Sequence, residues 1–140
     1  MTLEKSVSIA VTSNAVFNAL TSPQEIVKHF PFEAVTSDCR EDGEITFQGA
    51  VNGVPFTDYG RITRFEPGKA FAYRYWSTNH GTERRPENEL EVRYEIVAGQ
   101  DQTHLKVVQD RISSPDYFDM MNTAWDHLLG ALKQNLESRS

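Results

Sequence analysis

The sequence predicts an α+β fold: an antiparallel sheet of about six to seven strands, two short helices after the first strand, and a long C-terminal helix covering one sheet face. Three observations carry this expectation. Residues 33–112 run in short β-branched and aromatic stretches, alternating apolar with polar and broken by turn dipeptides. Residues 115–136 repeat apolar side chains at spacings of three and four. Between them and the N-terminus, Ser13 and Ser22 each open a brief helical pattern.

The first strand is read in Ser6 to Val11, where Val7, Ile9 and Val11 share a face. Ser13 serves as a helix N-cap before Val16, Ala19 and Leu20. Ser22-Pro23-Gln24-Glu25 reads as a capping box with proline at the first helical position. Ile26, Val27 and Phe30 would then face the core, and Pro31 stops the helix, because the residue before proline is pushed out of helical geometry. Six strands follow, in EAVTSD, GEITFQGAV, VPFTDYGRITRF, AFAYRYW, LEVRYEIV and THLKVVQDRI. Asp42-Gly43, Asn52-Gly53, Pro67-Gly68 and Ala98-Gly99 mark tight turns between neighbouring strands. Phe71, Tyr73 and Tyr75 share a face, as do Leu90, Val92, Tyr94 and Ile96, while Arg74, Glu91, Arg93, Glu95, His104 and Lys106 take the other. Such a sheet is wet on one side and covered on the other. The cover is the last helix, capped at Ser114-Pro115-Asp116, with Phe118, Met121, Trp125, Leu128, Leu129, Leu132 and Leu136 on one stripe. From Pro115 to Leu136 it would span about 33 Å.

Composition narrows the function classes. The chain has 140 residues, with 14 Lys+Arg against 20 Asp+Glu and a formal net charge of -6. That is one domain's worth, expected to span residues 1–140, and large enough for a core without staples. The acidic balance argues against a nucleic-acid binder, whose affinity comes from clustered cations. The single cysteine, Cys39, excludes an internal disulfide framework and suits a free thiol. No apolar run reaches the roughly 18 residues of a membrane span, and the N-terminus lacks a secretion-signal pattern, so a cytoplasmic location is expected.

Several stretches together resemble a known family. Val16-Phe17-Asn18-Ala19-Leu20-Thr21-Ser22-Pro23, Gly60-Arg61-Ile62 through Glu66-Pro67, Phe71-x-Tyr73-x-Tyr75-Trp76, Thr103-x-Leu105-x-Val107 and Trp125 with Leu129 and Leu132 follow one another over some 120 residues. Their order and spacing resemble the START-like, helix-grip superfamily. Within it, they resemble the group named after the C-terminal domain of the activator of the ninety-kilodalton heat-shock chaperone's ATPase. Departures are His29-Phe30 in place of a tryptophan-phenylalanine pair, Asp42-Gly43-Glu44 in place of a double glycine, and Ala124 in place of a glycine before the helix tryptophan. The resemblance implies a helix-grip fold, with a curved sheet wrapped around the C-terminal helix and the space between them packed or left as a cavity. It also implies two kinds of partner, an apolar or amphipathic small molecule and a chaperone.

The candidate chemistry is that of binding. His29, His80, His104 and His127 stand singly, without ligand spacing, so no metal site is expected; no cofactor motif is present either. Cys39 has no positioned base, and no nucleophile elbow or phosphate-binding glycine loop occurs, so no catalytic residue is assigned. Phe32, Phe47, Phe56, Tyr73, Tyr75, Tyr94 and Trp125 are expected to line one interior with Met121, either Met120 or Met121 giving adaptability. A solid aromatic core is the competing reading. Asp58 shares parity with Phe56, and Gln109 with Leu105 and Val107, so both are counted as ligand-binding, with Arg111 following on the same side. For Asp58 the opposing reading is a bulge at Gly60 that turns it outward, favoured because aspartate is seldom buried unpaired. The twelve-residue loop Ser77 to Asn88 sits at a mouth-like position, where such loops are often functional, and a solvated insertion is the favoured reading. The leading expectation is a small-molecule binder. The alternatives are a chaperone-interacting module and a cyclase- or dehydratase-like enzyme moving protons through Asp58, Arg111 or His29.

Overall fold

The computed structural model describes residues 1–139. Along the chain come β1 (Leu3–Ile9), α1 (Ser13–Thr21), α2 (Pro23–His29), β2 (Ala34–Ser37), β3 (Glu44–Val51), β4 (Val54–Glu66), β5 (Ala70–Ser77), β6 (Leu90–Ala98), β7 (Thr103–Asp110) and α3 (Pro115–Arg139). A single 3-10 turn, Pro86–Asn88, lies in the β5–β6 loop. The seven strands form one sheet in the order β1-β7-β6-β5-β4-β3-β2, antiparallel throughout. The sheet is curved, and the α+β helix-grip architecture anticipated from the sequence is the one observed.

Turn chemistry explains the hairpins. At the β3–β4 turn, Asn52 and Gly53 both take positive φ, 53° and 80°, which is the twist-matched two-residue turn that Asn-Gly favours. The β4 register shifts once, between Ile62 and Arg64. Gly60 pairs regularly with Ile45 on one side and Tyr75 on the other, so no bulge occurs there and the parity of Phe56, Asp58 and Ile62 is kept. The outward placement favoured for Asp58 is therefore corrected, since the irregularity falls past it.

Some local readings differ. Thr12, not Ser13, caps α1, its Oγ1 accepting from the Ala15 amide at 3.2 Å. Ser22 does not form a capping box; its hydroxyl donates to Gln24 Oε1, and Glu25 turns away to ion-pair with Lys28 and Arg139. Val27 is exposed, while Ile26 and Phe30 are buried. A seven-residue helix docked by one side can bury only one stripe, and Val27 lies off it.

Helix α3 begins where expected, the Tyr117 amide donating to Ser114 Oγ at 3.3 Å, and runs on to Arg139. Its C-terminal half is fixed on several sides. Leu129, Leu132 and Leu136 enter the core. Lys133 Nζ donates to the Ser8 carbonyl at 2.6 Å, and Glu137 accepts from the Ala10 amide at 2.9 Å. Arg139 reaches Glu25 at 2.8 Å beside the buried ring of His29, whose Nδ1 lies 3.3 Å from Asn135 Nδ2. Its N-terminal half is held more loosely: Tyr117, Phe118, Met121 and Leu128 are half-buried and Met120 is exposed.

Candidate ligand cavity

Between this looser half of α3, the end of α2 and the inner face of the sheet lies a cavity of about 420 Å³. The alternation read in the strands dictates its walls, because side chains two apart on a strand face the same way. β3 contributes Phe47, β4 contributes Phe56 and Asp58, and β5 contributes Tyr73 and Tyr75. Tyr94 comes from β6 and Gln109 from β7, while Phe32 closes one side from the α2–β2 connection. Met121 and Trp125 form the helical wall. All ten residues singled out from the sequence thus border one space.

The rings support one another. Phe32 and Phe47 have centroids 4.8 Å apart, Phe47 and Tyr73 5.4 Å, and Tyr73 and Tyr75 5.9 Å. Trp125 meets Tyr94 edge-on at 6.0 Å, the geometry the aromatic quadrupole prefers. Gly49 makes room for this wall: a Cβ there would stand 2.9 Å from the Phe56 ring.

One end of the cavity is polar. Trp125 Nε1 donates to Gln109 Oε1 at 2.8 Å, and Gln109 Nε2 donates to the Tyr75 hydroxyl at 3.0 Å. The Tyr75 and Tyr117 hydroxyls are 3.2 Å apart. His80 packs its ring against both tyrosines, at 5.6 and 5.4 Å, and its buried Nδ1 has no hydrogen-bond partner. Burial depresses the His80 pKa, because desolvation penalises the imidazolium, and drives the Tyr73 and Tyr75 phenols well above their ordinary range. Burial also lifts the Asp58 carboxyl from 3.8 to about 6, a hydrogen bond with Ser77 partly opposing it. No lysine or arginine belongs to the wall, and Asp58 is its one carboxylate among the described residues.

Other sequence expectations do not meet here. Arg111 leaves the groove: its backbone takes a positive φ of 67°, and its guanidinium donates to the carbonyls of Glu89 and Pro86. The left-handed residue ends the alternation that placed it beside Gln109. His29 is buried between α2 and α3, in the Glu25–Arg139 cluster and away from the cavity wall. Of the three proposed proton carriers, only Asp58 reaches the space. The loop read as a solvated insertion is partly a wall, since Asn79 and His80 line the cavity. Tyr117 and His80 were missed. Tyr117 precedes Met121 and Trp125 by four and eight residues, so helical spacing alone could have found it. Nothing in the sequence marks His80.

Cys39 is a free, exposed thiol. Among the described residues, no group of three or more His, Cys, Asp or Glu side chains is placed to hold a metal, and no helix is long and apolar enough to cross a membrane.

Comparison with known proteins places these features in a lineage. The ChR145 protein from Cytophaga hutchinsonii has a similar fold, with a TM-score of 0.84 at 23% identity over 99% of this chain and 95% of that one. The Aha1 dimer from Colwellia psychrerythraea gives 0.78 at 18% identity, covering 98% and 96%. A START superfamily protein from Mycobacterium smegmatis gives 0.78 at 16%, covering 99% of both chains. At such identities the likeness concerns the fold. No curated protein matches the sequence. The family model for Activator of Hsp90 ATPase homolog 1-like proteins matches residues 10–137, from the end of β1 to the last turn of α3, and the chain belongs to that family.

Proposed function

We propose that residues 1–140 act as one ligand-binding domain that takes an apolar or amphipathic small molecule into the cavity between sheet and α3. The carrying observation is the cavity itself, a space of about 420 Å³ walled mainly by aromatic rings, with a few convergent polar groups at one end. Small-molecule pockets have this size and composition, commonly roughly 300–1,000 Å³ with mainly apolar linings. The exposed wall residues Val51, Met120 and His127 mark where the space meets solvent.

Titration with the uncharged fluorescent probe N-phenyl-1-naphthylamine, and then with flavonoid-like and fatty acyl competitors, tests the reading. Saturable binding at one site per chain is expected, with loss in Ala124→Trp, which builds an indole into the wall. Absence of saturable binding, or binding indifferent to Ala124→Trp, refutes it.

Asp58 favours a second reading. A carboxyl with a pKa of about 6 in an aromatic-walled space is poised for proton transfer near neutral pH, as a cyclase- or dehydratase-like enzyme requires. Turnover abolished by Asp58→Asn supports that enzyme; turnover retained dismisses it. The family description supports the remaining reading, a cytoplasmic partner of a heat-shock chaperone, and chaperone ATPase turnover unchanged on adding the protein counts against it.

A further inference from the structure

Hydrogen-bond direction at the polar end follows from the chemistry of one residue. An indole N–H only donates, so Trp125 requires Gln109 to present its carbonyl oxygen, and Gln109 must offer its amide N–H to Tyr75. The Tyr75 and Tyr117 hydroxyls are 3.2 Å apart and one donates to the other, which leaves one O–H of the pair free. That free O–H, assigned below to Tyr117, ends a relay that runs outward from Trp125 through Gln109.

Asp58 stands across the same space. Asp58 and Tyr117 line the same wall, and the Asp58 carboxylate adds to burial in raising the Tyr73, Tyr75 and Tyr117 pKa values. A donor and a negatively charged acceptor therefore line one space. A carboxylate placed there could accept from Tyr117 but would be repelled by Asp58, and the wall holds no cation to offset that. An ammonium could pair with Asp58 but has no lone pair for Tyr117. A hydroxyl satisfies both groups at once, accepting from one and donating to the other. The surrounding rings of Phe47, Tyr73 and Trp125 suit a flat apolar body.

Building on the small-molecule reading above, we infer that the occupant is an uncharged, flat molecule of phenol or alcohol class, its hydroxyl seated between Tyr117 and Asp58. Tyr117 is the specificity-determining donor, and Asp58 excludes carboxylates.

Calorimetric titration at pH 7.5 with four probes of one ring system tests this: 2-naphthol, 2-methoxynaphthalene, 2-naphthoate and 2-naphthylmethylammonium. The hydroxyl probe should bind tightest. Its methyl ether, which cannot donate, should bind at least about tenfold more weakly, the value of a hydrogen bond to a charged acceptor. Asp58→Ala should erase most of that gap by removing the acceptor, Tyr117→Phe should weaken 2-naphthol and its ether alike because both accept from Tyr117, and Asp58→Asn should strengthen 2-naphthoate several-fold by removing the repelling charge. Equal affinity for 2-naphthol and its ether, or affinities for both that ignore Tyr117→Phe, overturns this assignment and leaves the cavity reading standing. Tightest binding by the carboxylate or the ammonium overturns it too. Failure of all four probes to bind overturns both readings.

Discussion

Asp58→Asn should stabilise the protein at neutral pH. The carboxyl is carried into an aromatic cavity, where burial raises its pKa from 3.8 to about 6. A folded state that holds the proton more tightly than the unfolded state gains stability from it at low pH. That gain is complete below the unfolded pKa and is lost as pH rises through the folded one. A shift of about two units corresponds to about 3 kcal/mol at 1.36 kcal/mol per unit. The remaining titratable wall residues, Tyr73, Tyr75, Tyr94, Tyr117, His80 and His127, are unaltered by the substitution, and burial keeps the four phenols protonated through this range. Asparagine keeps the shape and removes the charge. Urea unfolding of parent and variant at matched pH should show the variant more stable by about 3 kcal/mol at pH 7.5, narrowing to about 1 kcal/mol at pH 4.5. Comparison at equal pH cancels the acid sensitivity of every other carboxylate. A variant less stable than the parent at pH 7.5, or a difference that ignores pH, would falsify the assignment of a desolvated, ionised Asp58.

Glu25 titrates in the opposite sense. Its hydrogen bond from Arg139, with Lys28 assisting, holds its pKa down to about 2 from 4.5, so the stability it confers is present above 4.5 and disappears as pH falls towards 2. Glu25→Gln should flatten that part of the acid limb in a thermal-melt series from pH 5 to 2, and an unchanged acid limb would show that the cluster contributes nothing. Gly60→Ala should destabilise by about 1–3 kcal/mol through overpacking. The new methyl would lie 2.9 Å from Ile45 Cγ2 and 3.2 Å from the Arg74 carbonyl, both in the middle of the sheet. A denaturation midpoint equal to that of the parent refutes this close approach.

The sheet face was legible because a period of two survives any modest error in strand ends. Phe47, Phe56, Tyr73, Tyr75, Tyr94 and Gln109 reached the cavity on parity alone, and Trp125 with Met121 on helical spacing. What was illegible depended on single backbone events. One left-handed residue took Arg111 out, and the bulge expected at Gly60 fell three residues later, which decided the side of Asp58. His80 is set by the path of a twelve-residue loop that carries no periodic signal, so its meeting with Tyr75 and Tyr117 needed coordinates. The capping box failed for a tertiary reason: Glu25 gains more from Arg139, 114 residues away, than from its own helix end.

Helix α3 shows how one amphipathic segment performs two tasks. A helix serving only as a lid would bury the same stripe along its length. Here Leu129, Leu132 and Leu136 sink into the core, and Lys133, Glu137 and Arg139 tie the same half to β1 and α2. Upstream, the stripe turns amphipathic: Tyr117 carries a hydroxyl, Met121 a flexible thioether and Trp125 an indole N–H engaged by Gln109. Residues that fill space imperfectly but offer polar handles are poor core material and good cavity lining. The fixed half therefore supplies the stability that lets the other half border an unfilled space. Trp125, buried and hydrogen-bonded, is the pivot between them: it is the first donor of the polar relay, and its ring packs on Tyr94 at the start of the closed core.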